Sequence, residues 1–367
     1  FHLDSPCLVS AVGFPPLGGS FLFYCDDLAF IGRPPTTGLS KKLIDAARRG
    51  QTLGMERFQV FAWDRRCWRV AALVFCLGLA ACASPHQKST PRNPDATNPV
   101  TVVAFGDMPY RKVDIPAYEQ LLRMISAEAP DVTINVGDIK GGGPCDEAIY
   151  LRQRDYMNSV DGPLVYTPGD NEWTDCHRRG WGDYDPRERL AVLRDLFFAA
   201  PESLGRDPIT LERQSDRSPV HQVMVENARW RIGGVLFATA HVVGSNNGRR
   251  AGDTAAIAEF ERRDAANIEW INELFEIARA DRSTAVVLAF QADPYLLYGL
   301  GGGFHATLAA ITEGAIAFGG PVLVIHGDGH VFTVDTPFQD VVGNPLDNVW
   351  RVEVPGALGI RAVPIRI

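Results

Sequence analysis

From Val100 onward, short apolar runs alternate with longer stretches of helical period. "VTVVAFGD" is rich in β-branched residues and has the length of a buried strand. Behind it, Tyr118, Leu121, Leu122 and Ile125 recur at spacings of three or four, the apolar face of a helix. Asp114 can cap that helix, and Pro116 suits its first turn. "DVTINVGD" reads as a second strand, residues 145–160 as a second helix, and "GPLVYTPGD" as a third strand. A βαβαβ order predicts a parallel or mixed sheet covered by helices.

The alternation continues. "PRERLAVLRDLFFA" is helical, and "HQVMVENARW" with "IGGVLFATAHVV" reads as an antiparallel pair turning at Asn227-Ala228. Residues 253–280 carry the longest helical pattern, with Ile257, Phe260, Ile268, Ile271 and Phe275 on one face. "TAVVLAFQADP" is another buried strand, and the glycine-rich "GLGGGFH" leads to a helix at 307–318. "PVLVIHGDGH" is a strand, and "VFTVDT", "VWRVEV" and "AVPIRI" read as closing strands.

The first hundred residues break this rhythm. Residues 1–54 hold Pro and Gly without a sustained period, and the first methionine is Met55. We expect this stretch to be an upstream extension, disordered or foreign to the native protein. Arg65, Arg66 and Arg69 then precede an uncharged apolar run from Val70 to Ala81, which is too short to span a bilayer. The run ends in "LAAC", which resembles the lipobox of bacterial lipoproteins. That resemblance implies a signal peptide over 55–81, cleavage before Cys82, lipid on its sulfur and a membrane anchor. Ala83 rather than Asp follows, which implies the periplasmic face of the outer membrane. Residues 82–99 are polar and Pro-rich and read as a tether. The folded domain is expected over 100–367.

A net charge of -8 offers no basic footprint for nucleic acid. Of seven cysteines, only Cys145 and Cys176 fall in the folded part outside the leader, signal and lipid site. In an exported domain that pair suggests a disulfide, with two free buried thiols as the alternative.

The strand ends carry the candidate chemistry. Five apolar runs finish in polar residues: Asp107, Asp138, Asp170 with Asn171, Gln291 with Asp293, and Asp328 with His330. Ligands of such sheets bind beyond the carboxyl ends of the strands. Carboxylates gathered there repel one another unless a cation lies among them.

The series "GDMP", "GDIKG", "GDNE", "FQADP" and "GDGH" resembles the motif order of the calcineurin-like metallophosphoesterases. The resemblance covers nearly all of residues 100–335. It implies an αββα sandwich, two mixed β-sheets flanked by helices, with one or two divalent metal ions between the strand ends. Asp107 would bind the first metal and Asp138 would bridge both. Asp170 stands where the family has Asn, on the second metal. Gln291, or Asp293 if the loop is displaced, stands for the His after the fourth strand. Asp328 stands for the second-metal His, and His330 matches the last His, on the first metal.

Several positions depart from that pattern. Pro109 replaces the first motif's His and Gly141 the second motif's Asp. Asn171 replaces the His that contacts phosphate; an amide can hydrogen-bond phosphate but cannot deliver a proton. Histidines have mostly become oxygen donors, which favours Mn, Mg or Ca over Zn, with Fe also compatible. Lys140, in "GDIKGGG", could bring positive charge to the depleted first-metal position, or lie solvated in its loop.

The implied reaction is metal-assisted hydrolysis of a phosphomonoester or phosphodiester, favouring good leaving groups, with Asn171 and Lys140 as catalytic candidates. The competing reading is a metal- or phosphate-binding scaffold that keeps the fold. His241 is expected to be structural, Asn246 and Asn247 to sit in a turn, and His305 to be a loop residue. His177 and Trp173 flank the third motif and could line the pocket, and Arg111 could reach a phosphate.

Overall fold

The computed structural model describes residues 99–296 and 302–367. The leader, the signal segment, Cys82 and nearly all of the tether lie outside the described residues, as does the start of the glycine-rich loop. In chain order the first half is β1 (Thr101–Phe105), α1 (Ile115–Glu128), β2 (Val132–Asn135), α2 (Glu147–Asn158), β3 (Leu164–Tyr166) and α3 (Pro186–Phe197). Next come β4 (Glu212–Arg213), β5 (Ala228–Ile232), β6 (Val235–Thr239), α4 (Thr254–Ala280), β7 (Ala285–Ala289) and α5 (His305–Phe318). The chain closes with β8 (Val322–His326), β9 (Thr333–Asp335), β10 (Val349–Glu353) and β11 (Val363–Arg366). No helix among the described residues is long and apolar enough to cross a membrane.

The strands form two mixed sheets. Four are ordered β11-β1-β2-β3, and seven are ordered β4-β5-β6-β7-β8-β10-β9. β1, β2 and β3 are parallel, as are β6, β7, β8 and β10. Antiparallel strands flank both parallel cores.

Period-two alternation builds the layers. In β1, Val103 and Phe105 pack with Tyr118, Leu121, Leu122 and Ile125 of α1. The alternate residues Val102 and Ala104 pack instead with Phe237, Val287, Leu323 and Ile325 of the other sheet. In that sheet Val286, Leu288, Val322 and Val324 face Ile271, Leu274 and Phe275 of α4 and Ile311 of α5. The result is helices, sheet, sheet, helices, as expected from the sequence.

Two local expectations need correction. The β5–β6 hairpin turns at Gly233-Gly234, where Ile232 pairs with Val235, and not at Asn227-Ala228. Gly233 adopts φ 57°, a left-handed conformation that suits a tight hairpin. Asn227 is buried instead, and its amide donates to Gln214 (2.8 Å) and Asn267 (2.9 Å). Asp114 does precede α1, with Pro116 in the first turn, but its carboxylate makes no capping bond. It is taken by Arg111 at 2.7 and 2.8 Å.

Helix α5 touches α4 through Gly314: a Cβ there would lie 2.1 Å from the Phe275 ring. Gly to Ala within a helix ordinarily stabilises by roughly 0.5–1 kcal/mol. Here overpacking should reverse the sign, so Gly314→Ala is expected to destabilise by about 1–3 kcal/mol. Chemical denaturation of the two proteins checks this, and a more stable variant would contradict the packing.

Candidate metal centre

The carboxyl ends of β1, β2, β3 and β8 deliver their polar residues to one place, although β8 belongs to the other sheet. The Asp328 amide donates to Asp107 Oδ1 at 2.9 Å, stitching the two sheets together. His330 Nε2 lies 3.3 Å from the same oxygen. Two groups of side chains able to hold a metal ion result: Asp107, Asp138 and His330, and Asp138, Asp170 and Asp328. Within each group the ligand atoms lie within 4.8 Å of one another, and Asp138 belongs to both.

The backbone is unusual at these positions. Asp107, Asp138, Asp328 and His330 all adopt positive φ, between 53° and 74°. Ser245, Asn246 and Asn247 form a left-handed run beside them. A non-glycine residue in this region costs about 1–2 kcal/mol, so the surroundings must enforce it. They do so with hydrogen bonds. Glu172 Oε1 accepts from the amides of Asp138 (3.1 Å) and Gly169 (2.7 Å) and from the Tyr166 hydroxyl (2.9 Å). Buried Arg263 donates to Asn247 Oδ1 at 2.5 Å and to its carbonyl at 2.8 Å. That turn brings the Ser245 hydroxyl 2.6 Å from Asp170 Oδ2.

Electrostatics oppose the arrangement unless positive charge is added. Burial, then the nearby Asp170, Glu172, Asp107 and Asp328 carboxylates, push Asp138 well above the usual carboxylate range. Burial, then Asp170 and Asp107, do the same to Asp328. Asp107 is raised by burial despite its bond to His330, which is itself raised by that bond. Asp107 Oδ2 is buried with no hydrogen-bond partner. An orphaned carboxylate oxygen in a crowd of carboxylates suits a divalent cation. One imidazole and four carboxylates make an oxygen-rich donor set, so the residues fit one or two such ions.

The other expected residues take different places. Asn171 is bound to the shared carboxylate: its amide donates to Asp138 Oδ1 (3.1 Å) and its Nδ2 to Asp138 Oδ2 (2.8 Å). Lys140 does not reach the first group. Its Nζ donates to the Asn171 carbonyl at 2.8 Å and lies 4.3 Å from the centre of the Trp181 ring. The reason is local: the loop after β2 folds back onto the loop after β3. Gln291 commits its amide oxygen to the Gly244 amide at 2.6 Å, so it holds a loop where a ligand was expected. Asp293 joins neither group; it accepts from the Tyr295 amide (2.9 Å) and faces Arg351 (3.6 Å). Its own amide donates to Asp328 Oδ2 at 3.2 Å, which braces that ligand.

Cys145 and Cys176 form a disulfide with Cα atoms 5.8 Å apart, joining the loops that carry Asp138 and Asp170. His241 is structural, buried against Glu226 at 2.6 Å. Trp173 is packing, with Arg263 over its ring. His177 bonds the Thr174 carbonyl at 2.6 Å, His305 is exposed at the start of α5, and Arg111 is tied to Asp114.

Sequence reasoning missed Tyr110, Glu172 and Ser245 as parts of the centre. Tyr110 Oη lies 2.9 Å from Asp138 Oδ2, 3.0 Å from Asn171 Nδ2 and 3.2 Å from His330 Nε2. Its place directly after "GDMP" was the one available signal.

No family model matches the chain, and no curated protein matches it. Among 27 matching chains of solved structures is a dimetal phosphatase from Danio rerio, 11% identical, covering 73% of this chain and 92% of that one at a TM-score of 0.42. An overlap this loose fixes neither kinship nor chemistry.

The charge crowding predicts a pH dependence. Burial raises Glu172 and Asp175 to about 7, and Asp138 and Asp328 are raised as well. The folded state therefore keeps protons that an unfolded carboxylate loses near pH ~4. Cation-free protein should lose stability as pH rises from ~4 through 7. A divalent cation at 100 times its Kd should restore about 2.7 kcal/mol. Melting curves from pH 5 to 8, with chelator and with Mn²⁺, check both signs. A melting temperature indifferent to the cation would contradict the fit.

Proposed function

We propose that this chain is a divalent-cation-dependent hydrolase of phosphate monoesters or diesters. The observation that carries the reading is the pairing of two three-residue ligand groups through one shared carboxylate, Asp138. Bound there, the cations would supply Lewis-acid polarisation and neutralise charge as water attacks phosphorus. Asp107 and His330 would hold one ion, Asp170 and Asp328 the other, and Asp138 both. The oxygen-rich donors favour Mn, Mg or Ca over Zn.

The remaining residues position and balance. Asn171 orients Asp138 through both of its oxygens. Lys140 and half-exposed Arg178, both near the Trp181 ring, would add positive charge at that edge of the site. Asn171 cannot protonate a leaving group, so aryl phosphates should outrun alkyl phosphates. The sequence around Cys82 supports export and a lipid anchor in the outer membrane. Loss of membrane partition in a Cys82→Ser variant would be its signature.

Turnover of p-nitrophenyl phosphate and its bis ester across Mn²⁺, Mg²⁺, Ca²⁺, Zn²⁺ and Fe²⁺ tests the reading. Asp138→Asn should lower kcat/KM by at least ~100-fold, since it weakens both cation positions. Absence of turnover with every metal would leave the scaffold reading in place.

A further inference from the structure

We propose that Tyr110 is the side chain that hydrogen-bonds the phosphoryl group at this centre, in the role the sequence assigned to Asn171. The inference rests on the phosphoester reading above and adds a residue to it.

Three observations converge on Tyr110. The first is position. Its phenolic oxygen sits between the shared ligand Asp138, the ligand His330 and the amide of Asn171, at 2.9, 3.2 and 3.0 Å. The ring packs in a T-shaped arrangement with His330, with centroids 5.3 Å apart, which holds the phenol at this place.

The second is space. A Cβ at position 141 would lie 2.8 Å from both Cβ and Cγ of Tyr110. Only glycine there lets the ring lie where it does. The resemblance expects Asp at 141 and His at 109, and both are absent in a chain that carries Tyr110 between the two loops. These departures thus belong together: one aromatic side chain occupies room that a larger residue at 141 would take.

The third is the state of Asn171. Its Nδ2 has two hydrogens, one directed to Asp138 Oδ2 and the other to Tyr110 Oη. Its backbone amide is on Asp138 Oδ1 and its carbonyl takes Lys140. Asn171 therefore has no donor left for a substrate.

Tyr110 does have one. Its single O–H now points to Asp138 Oδ2, while its lone pairs accept from Asn171. With Asp138 engaged by a cation, the hydroxyl can rotate about its C–O bond toward a phosphoryl oxygen, whereas the planar Asn171 amide keeps its direction through its bond to Tyr110 and its backbone amide on Asp138. A phenol ordinarily titrates near pH ~10, so it is a donor at neutral pH. Asn171 then acts as a positioning residue that aims the phenol.

The test uses the full chain loaded with Mn²⁺ and inorganic phosphate as the probe, because Tyr110→Phe removes one oxygen and keeps the ring. Phosphate affinity, by calorimetry and by competitive inhibition, should weaken about 10-fold or more, the range for a hydrogen bond to a charged partner. Manganese content and melting temperature should match the unchanged protein. Phosphate affinity within about 2-fold of the parent would overturn the proposal, as would loss of one manganese, which would make the phenol a cation ligand. If the parent hydrolyses phosphoesters and the variant binds phosphate equally well, only this inference fails. If the parent neither binds phosphate nor hydrolyses any ester, the phosphoester reading falls with it.

Discussion

Four carboxylates share a space too small for their charge, and much of the surrounding structure serves to hold them there. Asp107, Asp138 and Asp170 are buried, and Asp328 closes the group from the other sheet. Left alone, such an arrangement would scatter or protonate. It persists because each acid sits at the end of a strand whose interior is locked into one of three apolar cores. Burial of those cores supplies the free energy that offsets the repulsion at their rim.

The strain is spread over many supports. Positive φ at Asp107, Asp138, Asp328 and His330 turns each side chain inward immediately beyond its strand. Glu172 and Gln291 then accept from loop amides nearby, and the Asp293 amide donates to Asp328 Oδ2. The Cys145–Cys176 disulfide ties the second and third loops together. Such bracing keeps ligand oxygens in place before an ion arrives, which lowers the reorganisation a bound ion would require.

Positions that depart from the resembled motifs form a coherent set. Gln291 and Asp293 act as braces. Asn171 holds Asp138, and the Tyr110 ring lies against Gly141 where the motif has an acid.

Much of this was legible in the chain. The strand and helix periods and a sheet covered by helices follow from side-chain alternation, a short-range property carried by neighbouring residues, whereas the helix–sheet–sheet–helix layering was what the resemblance implied. The places of Asp107, Asp138, Asp170, Asp328 and His330 were visible because each lies within a few residues of the end of an apolar run. The partners of each acid were decided only by the tertiary structure. Tyr110 and His330 are 220 positions apart and meet across two sheets, and Ser245 reaches Asp170 from 75 positions away. Lys140 turned to a carbonyl and an indole, and the hairpin turned at Gly233, because loop paths depend on the surfaces they land on. Periodicity reports which face a residue occupies; hydrogen bonds between distant loops exist only once the sheets have packed.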